Sequence, residues 1–496
     1  MAIKRYRATA DNTIANGYQE NLATRATGSN MGLADVSEVY SIYGRESSTS
    51  SELSRILTQF DVTSISADRT AGTIPASGKV KFYLRLFNAE TSKTVPKNFK
   101  LVVEAISRAW NEGDGLDLEN YKDLGVSNWI SASDGVGWTT PGGDYHQLPT
   151  FEQTFETGLE DMELDITSLV EEWITGAGGG GKTNYGVGVR LTSSLETASD
   201  SYYTKRFFAR GTQYFFKKPV IEARWNSSIQ DDRGDFYFSS SIAPGPDNLN
   251  TIYLYNYVRG RLTNIPAVGA TGSIMVSLYS GSSDNTAPSG SKLILYDGQV
   301  NITGGFVSTG IYSCSVAVTA SDTLSISTLY DVWHSGSHLD EHATSTEYFT
   351  GSISAESFAA AASSNGNYRY VTNIKNLRNK YFSEEQARFN VYVRNKNWSP
   401  TIYTVASTEI ENTIIPSASF RVYRVLDGLN VIPHGTGSDL QTILSYDVSG
   451  NYFNLDMSLL EPGYEYGIKL AFYDSQRQSW IEQDQKFLFR VEDYEY

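Results

Sequence analysis

Gly176-Ala177-Gly178-Gly179-Gly180-Gly181-Lys182-Thr183 matches the phosphate-binding pattern G-x-x-x-x-G-K-[ST] letter for letter. That chemistry needs a strand before the loop and a helix after it, so that backbone N–H groups and the helix N-terminus face the phosphates. Here the order is reversed, with a helical stretch before it and a strand-like run, Asn184 to Leu191, after it. A flexible turn is the expectation. His334, His338 and His342 are spaced by four, with Asp340 and Glu341 between them. On a helix the three imidazoles would share a face and suit a metal. Ser335-Gly336-Ser337 argues against a helix, so an exposed polar loop without metal is expected. Asp114, Asp117 and Glu119 crowd a Gly-rich loop of the kind calcium uses. Their spacing is not that of an EF-hand, and a solvated turn is the simpler reading. Arg233-Gly234-Asp235 spells an integrin-type tripeptide, read as chance in a polar linker. Trp129, Trp138 and Tyr145 could stack on sugars if exposed, and core positions are expected instead. There is no Gly-x-Ser-x-Gly elbow, the five His have no evident partner order, and nothing nominates a glycosidase carboxylate pair. No catalytic, cofactor-binding or metal-ligating residue is assigned, no cofactor is expected, and the chain reads as a non-enzyme.

The elements around these residues are mostly strands. Val80, Phe82, Leu84 and Leu86 alternate with Lys79, Lys81, Tyr83 and Arg85. Ile274, Val276 and Leu278 alternate with Met275, Ser277 and Tyr279. Phe389, Val391 and Val393 alternate with polar neighbours, as do Tyr464, Tyr466, Ile468, Leu470 and Phe472. A period of two puts one set on a core face and the other in solvent. Many short runs of this kind, punctuated by Gly, Ser, Asn and Asp, point to antiparallel sandwiches. One helix is predicted over Asp165 to Ile174, with capping-box spacing at Ser168 and Glu171 and Gly176 as its stop. Ser354 to Ala362 is a weaker helical candidate inside a linker. Polar stretches at 226–248 and about 352–367 divide the chain into modules at 1–226, 245–350 and 367–496. Cys314 alternates in phase with Tyr312, Val316 and Val318 and reads as a small core residue.

The composition sets outer limits. The chain has 496 residues, 13% of them aromatic, and a net charge of −16. That acidity argues against gripping nucleic-acid phosphates or anionic lipid, so neither partner is expected. One cysteine permits no intrachain disulfide. No secretory signal and no run of about 18 apolar residues is seen, so folding in a reducing cytoplasm is expected.

Residues 1–226 resemble the DNRLRE domain, a β-sandwich module of bacterial surface proteins and phage proteins. The resemblance is carried in order by Asp11-Asn12-Thr13-Ile14, the turn Ser29-Asn30-Met31-Gly32, and the arginine-bearing strand Ser54 to Phe60. Lys79 to Phe87, Trp110-Asn111-Glu112-Gly113, and Trp129 to Trp138 follow. Leu164 to Trp173, Asn184 to Val189, Phe207-Phe208-Ala209-Arg210 and Lys218 to Ala223 close it. The family usually has Arg-Pro where this chain has Lys218-Pro219. Gly310 to Val316 resembles the immunoglobulin strand with a tyrosine corner, in which a Tyr lies two residues before a Cys. Leu460-Glu461-Pro462-Gly463-Tyr464-Glu465-Tyr466 resembles a fibronectin type III turn and strand. The whole chain also looks like structural proteins of tailed phages of marine bacteria, an impression carried by Met1 to Tyr43 and Gly143-Asp144-Tyr145-His146.

The expectation is therefore an all-β chain of tandem antiparallel β-sandwiches. A jelly-roll-like N-terminal domain precedes immunoglobulin- or fibronectin-like domains. The resemblances imply a non-enzymatic virion protein of the neck, collar or tail, assembled in the host cytoplasm. Its partners would be other virion proteins, including copies of itself in a symmetric assembly. The alternative is a carbohydrate-binding adhesin on a fibre or cell surface.

Overall fold

The computed structural model describes residues 2–91, 94–116, 126–239, 244–280, 293, 295, 302–319, 328–335, 346–356, 370–396, 402, 412–437, 439–475 and 477–493. They form two compact units. One comprises Ala2–Asn226 with Gly437–Gln441, the other Ser227–Thr436 with Thr442–Tyr496. Both are built from β-sandwiches.

The first unit holds β1 (Ile3–Ala15), β2 (Val36–Tyr43), β3 (Ser51–Phe60), α1 (Val62–Thr70), β4 (Lys81–Leu86) and β5 (Phe99–Ile106). The hairpin β6 (Ser131–Ser133) and β7 (Val136–Gly137) comes next, then β8 (Tyr145–Phe155), β9 (Met162–Asp165), α2 (Thr167–Thr175), β10 (Val187–Leu191), α3 (Ser193–Glu196), β11 (Tyr202–Phe208) and β12 (Val220–Arg224). β1 belongs to both layers. Its residues 3–7 pair with β12, and after a register shift between Ala8 and Ala10 its remainder pairs with β3. One layer runs β8-β5-β10-β3-β1 and the other β1-β12-β4-β9, while β2 joins β3 to β11. Val80, Phe82, Leu84 and Leu86 are all buried between the layers, as their alternation requires.

The predicted helix forms as α2, and Gly176 closes it at φ +68 with its N–H on the Glu172 carbonyl. The capping box does not form. Asp165 accepts from the Thr167 N–H, and Glu171 instead takes both guanidinium arms of Arg69, at 2.6 and 2.7 Å. Arg69 sits on α1, a helix the apolar periodicity did not mark. Its N-cap is Asp61, whose side chain accepts from the Thr63 N–H.

The opposite face of the β12 layer is polar yet closely packed. Glu222 is fully buried. Its carboxylate meets Arg5 at 2.8 Å, Arg224 at 2.7 Å and Arg85 at 3.6 Å. Arg224 also reaches Glu163 at 2.7 Å. Burial alone would raise the Glu222 carboxyl, but three guanidinium groups outweigh it and hold it down at about 2. Arg85 was expected in solvent and is instead buried by this pairing.

The second unit opens with β13 (Phe236–Tyr237), β14 (Asn250–Tyr255), the hairpin β15 (Tyr257–Val258) and β16 (Arg261–Leu262), β17 (Ile274–Ser280), β18 (Ile302–Ser308), β19 (Ile311–Val316), β20 (Thr328–His334) and β21 (Glu347–Glu356). The sheet order is β13-β21-β20-β17-β18-β19-β14. β18 folds it into a sandwich, because residues 302–304 pair with β17 and residues 305–308 with β19. Ile274, Val276 and Leu278 enter the core with Tyr312, Cys314 and Val316. Met275, Ser277 and Tyr279, expected in solvent, are buried too, so β17 is covered on both faces. The core also takes Phe236, which precedes residue 245.

The remainder of the unit holds β22 (Tyr370–Ile374), β23 (Lys380–Phe382), β24 (Gln386–Asn395), β25 (Ala418–Arg424), β26 (Asn430–Ile432), β27 (Ser445–Asp447), β28 (Gly450–Asp456), β29 (Glu465–Asp474), β30 (Ser479–Glu482) and β31 (Phe487–Glu492). One layer is β22-β24-β28-β27. The other is β23-β31-β29-β25-β26, with β30 beside β29. In immunoglobulin terms these are A-B-E-D and A′-G-F-C-C′, with the first strand split between layers and β23 running parallel to β31. Phe389, Phe420 and Phe453 stack across the interior, with ring centroids 4.1 and 5.1 Å apart.

The tyrosine corner lies at Tyr466, near the start of β29, where the hydroxyl donates to the Glu461 carbonyl five residues upstream at 2.7 Å. Tyr312, for which the Tyr-x-Cys spacing suggested that role, does something else. Its hydroxyl donates to the Gly269 carbonyl and accepts from the Ile265 N–H, so it clamps a turn more than 40 residues away in sequence.

The polar stretch after residue 226 is an ordered staple. Ile229 and Asp231 exchange backbone hydrogen bonds with Tyr446, making a parallel bridge along β27. Asp232 accepts from the Tyr446 hydroxyl at 2.6 Å. Arg233 then enters the preceding sandwich and pairs with fully buried Asp331, whose carboxylate also accepts from the Trp333 indole at 2.7 Å. A side chain at Gly351 would collide with that guanidinium, since an added Cβ lies 2.5 Å from it.

Glu222→Ala leaves buried guanidinium groups without their counter-ion and is expected to cost about 3–5 kcal/mol, read by urea unfolding of the first unit. The wild-type carboxylate contributes above its unfolded value of 4.5, and that contribution fades as pH falls toward about 2. An acid titration of the melting temperature should therefore be flatter below pH 5 in Glu222→Ala than in wild type. Tyr466→Phe removes one corner hydrogen bond and should cost about 0.5–1.5 kcal/mol in the second unit, with no change in circular dichroism at 20 °C or any other ordinary working temperature.

Candidate functional site

The first unit contains a cleft of about 750 Å³, within the roughly 300–1,000 Å³ typical of small-molecule sites. The end of β1 and its following loop supply Tyr18, β2 supplies Glu38 and Tyr40, and β3 supplies Glu52. β11 brings Tyr203 and Arg206. The strand period places these groups together: Glu38 and Tyr40 are two apart on β2, and Glu52 stands on the neighbouring strand, which pairs through Ile42.

Glu52 is 1% exposed. Its Oε2 accepts from the Tyr18 N–H at 2.6 Å and from Arg45 at 3.1 Å. Its Oε1, shut off from solvent, has no hydrogen-bond partner among the described residues. Glu38 is matched by Arg206 at 2.7 Å and by the Thr204 hydroxyl at 3.0 Å. Each carboxylate thus has its own guanidinium, and the cleft wall is close to neutral. Burial, reinforced by Glu38 and Glu52, pushes the Tyr40 phenol up, so it stays protonated and can donate. Gly17 lines the cleft because a Cβ there would come within 3.1 Å of the Tyr40 hydroxyl. Arg25 lies over one face of Tyr18, 3.7 Å from the ring centroid. Tyr203 is 55% exposed and leaves an aromatic face open.

None of the residues weighed for chemistry in the sequence lies in this cleft, although Met31, from the turn Ser29 to Gly32, lines it. In the 176–183 segment, Ala177–Gly179 form a 3-10 turn after α2, and Lys182 pairs with Glu172. β10 follows, so helix, loop and strand come in the order that cannot cradle a phosphate. His334 ends β20, fully buried, 2.8 Å from the Ser277 hydroxyl rather than in an exposed loop. His338 and His342 lie outside the described residues, as do Asp340, Glu341, Asp117 and Glu119. Asp114 is exposed. Trp110, Trp129 and Trp138 are buried together with Ile14, Leu57 and Ile106, and Tyr145 packs against them. Arg55 covers Trp129 and Tyr145 while binding Glu196 with both arms, at 2.7 and 3.0 Å. The Ser354–Ala362 candidate is strand up to Glu356, and its remainder lies outside the described residues.

Two further polar groups were not read as sites in the sequence, although Asp11, Glu112 and Arg210 of the second stand in segments quoted for the family resemblance. Ser419, His434 and Glu482 line up like a hydrolytic triad, with Ser419 Oγ 3.1 Å from His434 Nδ1 and Glu482 3.7 Å from Nε2. Ser419 is fully buried and also bonded to Thr442, so its hydroxyl cannot meet a substrate. Burial, helped by Arg421, lowers the His434 imidazole and keeps it neutral. The second group is Asp11, Glu112 and Arg210. Arg210 pairs with Glu112 at 2.8 Å and donates its backbone N–H to Asp11. Burial raises the Asp11 carboxyl to about 7 in spite of that N–H.

A raised acid binds its proton more tightly in the folded chain, so its contribution is complete below 3.8 and lost as pH rises through about 7. Asp11→Asn keeps the acceptor and removes the ionisation. The variant is expected to gain on wild type between pH 5 and pH 8 by on the order of 3 kcal/mol, followed as a widening gap in melting temperature.

No family model and no curated protein sequence matches the chain. Among solved structures it is similar to titin domains Z1Z2 in complex with telethonin, at 12% identity over 52% of this chain and 92% of that one, with a TM-score of 0.14. It is also similar to trypsin-activated α2-macroglobulin from Escherichia coli, at 8% identity over 98% of this chain and 28% of that one, again with a TM-score of 0.14. Both scores are too low to identify a shared architecture, and the assignment to tandem β-sandwiches rests on the sheets themselves.

Proposed function

We propose that the chain is a non-enzymatic structural protein of a tailed-phage virion, placed in the neck, collar or tail, with a DNRLRE-like first module. The observation that carries this reading is how the sandwiches are cross-linked. The one cysteine is buried, and buried ion pairs tie strand to strand at Glu222, strand to helix at Glu196 and strand to turn at Asp331. Such a chain can fold under reducing conditions and persist outside a cell without disulfides. The ordered resemblance of residues 1–226 to a module found in phage proteins supports the same reading. Its work would be passive, with sandwich faces and end loops buried against neighbouring subunits in a symmetric particle.

Mass spectrometry of density-purified virions of the phage that encodes the chain tests this directly. The chain is expected among the particle proteins at a fixed copy ratio to the portal. Its recovery only in the soluble lysate overturns the proposal.

A further inference from the structure

We propose that the side chains of Lys205 and Asn88 are joined by an intramolecular isopeptide bond, which the folded chain forms by itself. The first ground is position. Lys205 is 1% exposed on β11, and Asn88, just after β4, bridges Phe207 on the same strand. Lys205 Nζ lies 2.6 Å from Asn88 Oδ1. With a carbonyl bond of about 1.23 Å, that contact sets the amine roughly 3–4 Å from Asn88 Cγ, the reach of a near-attack arrangement.

The second ground is the state of the amine. Nζ lies 5.0 Å from the Phe155 ring centroid and 4.8 Å from that of Phe207. Burial among these rings lowers the Lys205 ammonium to about 8, against the pull of Asp161 and Glu160. An ordinary lysine is almost wholly charged at pH 8, whereas about half of this one is neutral amine, the nucleophilic form. The neutral amine has two N–H groups. The Gly158 and Glu160 carbonyls stand 2.9 and 2.8 Å away to accept them, which leaves the lone pair for Asn88.

The third ground is a proton carrier. Asp161 accepts from the backbone N–H of Asn88 at 2.7 Å, and its charge acts on Lys205. The Nζ lone pair attacks Asn88 Cγ and forms the new C–N bond. Asp161 takes a proton from Nζ and delivers it to the Asn88 side-chain nitrogen. The old C–N bond then breaks and ammonia leaves past the half-buried Asn88. No oxidant, metal or cofactor enters the balance. The product ties together residues 117 positions apart, so it constrains the unfolded chain as a long-loop disulfide does, yet forms in a reducing compartment. None of this depends on a place in a virion.

The test is the intact mass of the full-length purified chain in denaturant, after incubation at pH 8, followed by tandem mass spectrometry of its tryptic peptides. Wild type is expected to be lighter than its sequence by one ammonia, with a branched peptide joining the segments that hold Lys205 and Asn88. Lys205→Arg and Asn88→Ala should each show the full mass of its own sequence. Both should melt at a lower temperature than wild type. Asp161→Asn should leave most of the chain unlinked, and full linkage there overturns the part given to Asp161. Wild type at its full sequence mass overturns the proposal, because an ammonium held by three oxygens then accounts for the packing. So does an ammonia loss that persists in both Lys205→Arg and Asn88→Ala, which would assign it to another asparagine. Should either variant fail to fold, the branched peptide of wild type decides by its presence or absence.

Discussion

A carboxylate without solvent must be surrounded by positive charge, and Glu222 shows what that demands of the first unit. Its neighbours come from different strands: Arg5 from β1, Arg85 from β4 and Arg224 from its own β12. The pairing fixes register as well as charge. A slip of β1 or β4 by one residue would send its arginine to the opposite, apolar face and leave Glu222 exposed to the full cost of burial. The inner face, lined by Phe82, Leu84 and Ile221, tolerates exchange among apolar shapes far better. The order of strands is thus held by the polar face and the density of the core by the apolar one. Arg55 with Glu196, and Arg233 with Asp331, are further buried pairs, which anchor a helix and a turn to the sheets.

The strands were legible in the sequence because each reports on itself. An alternation such as Phe389, Val391 and Val393 needs no knowledge of a partner, and all three are buried. What required a partner was not legible. α1 carries little apolar stripe and is fixed by Asp61 at its start and by Arg69 reaching Glu171. Met275 and Tyr279 look like a solvent face until β17 is seen to be covered on both sides. Arg233 reads as part of a polar linker because its counter-ion lies 98 residues away. Tyr312 and Tyr466 show the same limit. Tyr312 carries the Tyr-x-Cys spacing of a corner and Tyr466 does not, yet only Tyr466 bonds a carbonyl within reach of a local corner.

The cleft was invisible for a related reason. Its walls come from the loop after β1, from β2, from β3 and from β11, and the side chains that face it, such as Glu38, Glu52 and Tyr203, are not spaced in any chemical motif. The sequence signals that did stand out were local coincidences. Four glycines and a lysine resolve into a helix stop and an ion pair. The tryptophans resolve into a second small core in which indole N–H groups of Trp110 and Trp138 meet backbone carbonyls. Letter patterns describe chemistry only when the backbone presents the letters together.

The parallel bridge between Gln230 and Tyr446 has one more consequence. β27 ends the four-stranded layer, and an end strand offers a row of unpaired amides to any passing chain. Here the chain's own segment at 229–231 lies along that row and closes it. A neighbouring subunit cannot extend this layer by adding a strand there. Any contact made by this side of the module must be made by side chains, whose identity a partner can read, rather than by backbone, which every chain carries alike.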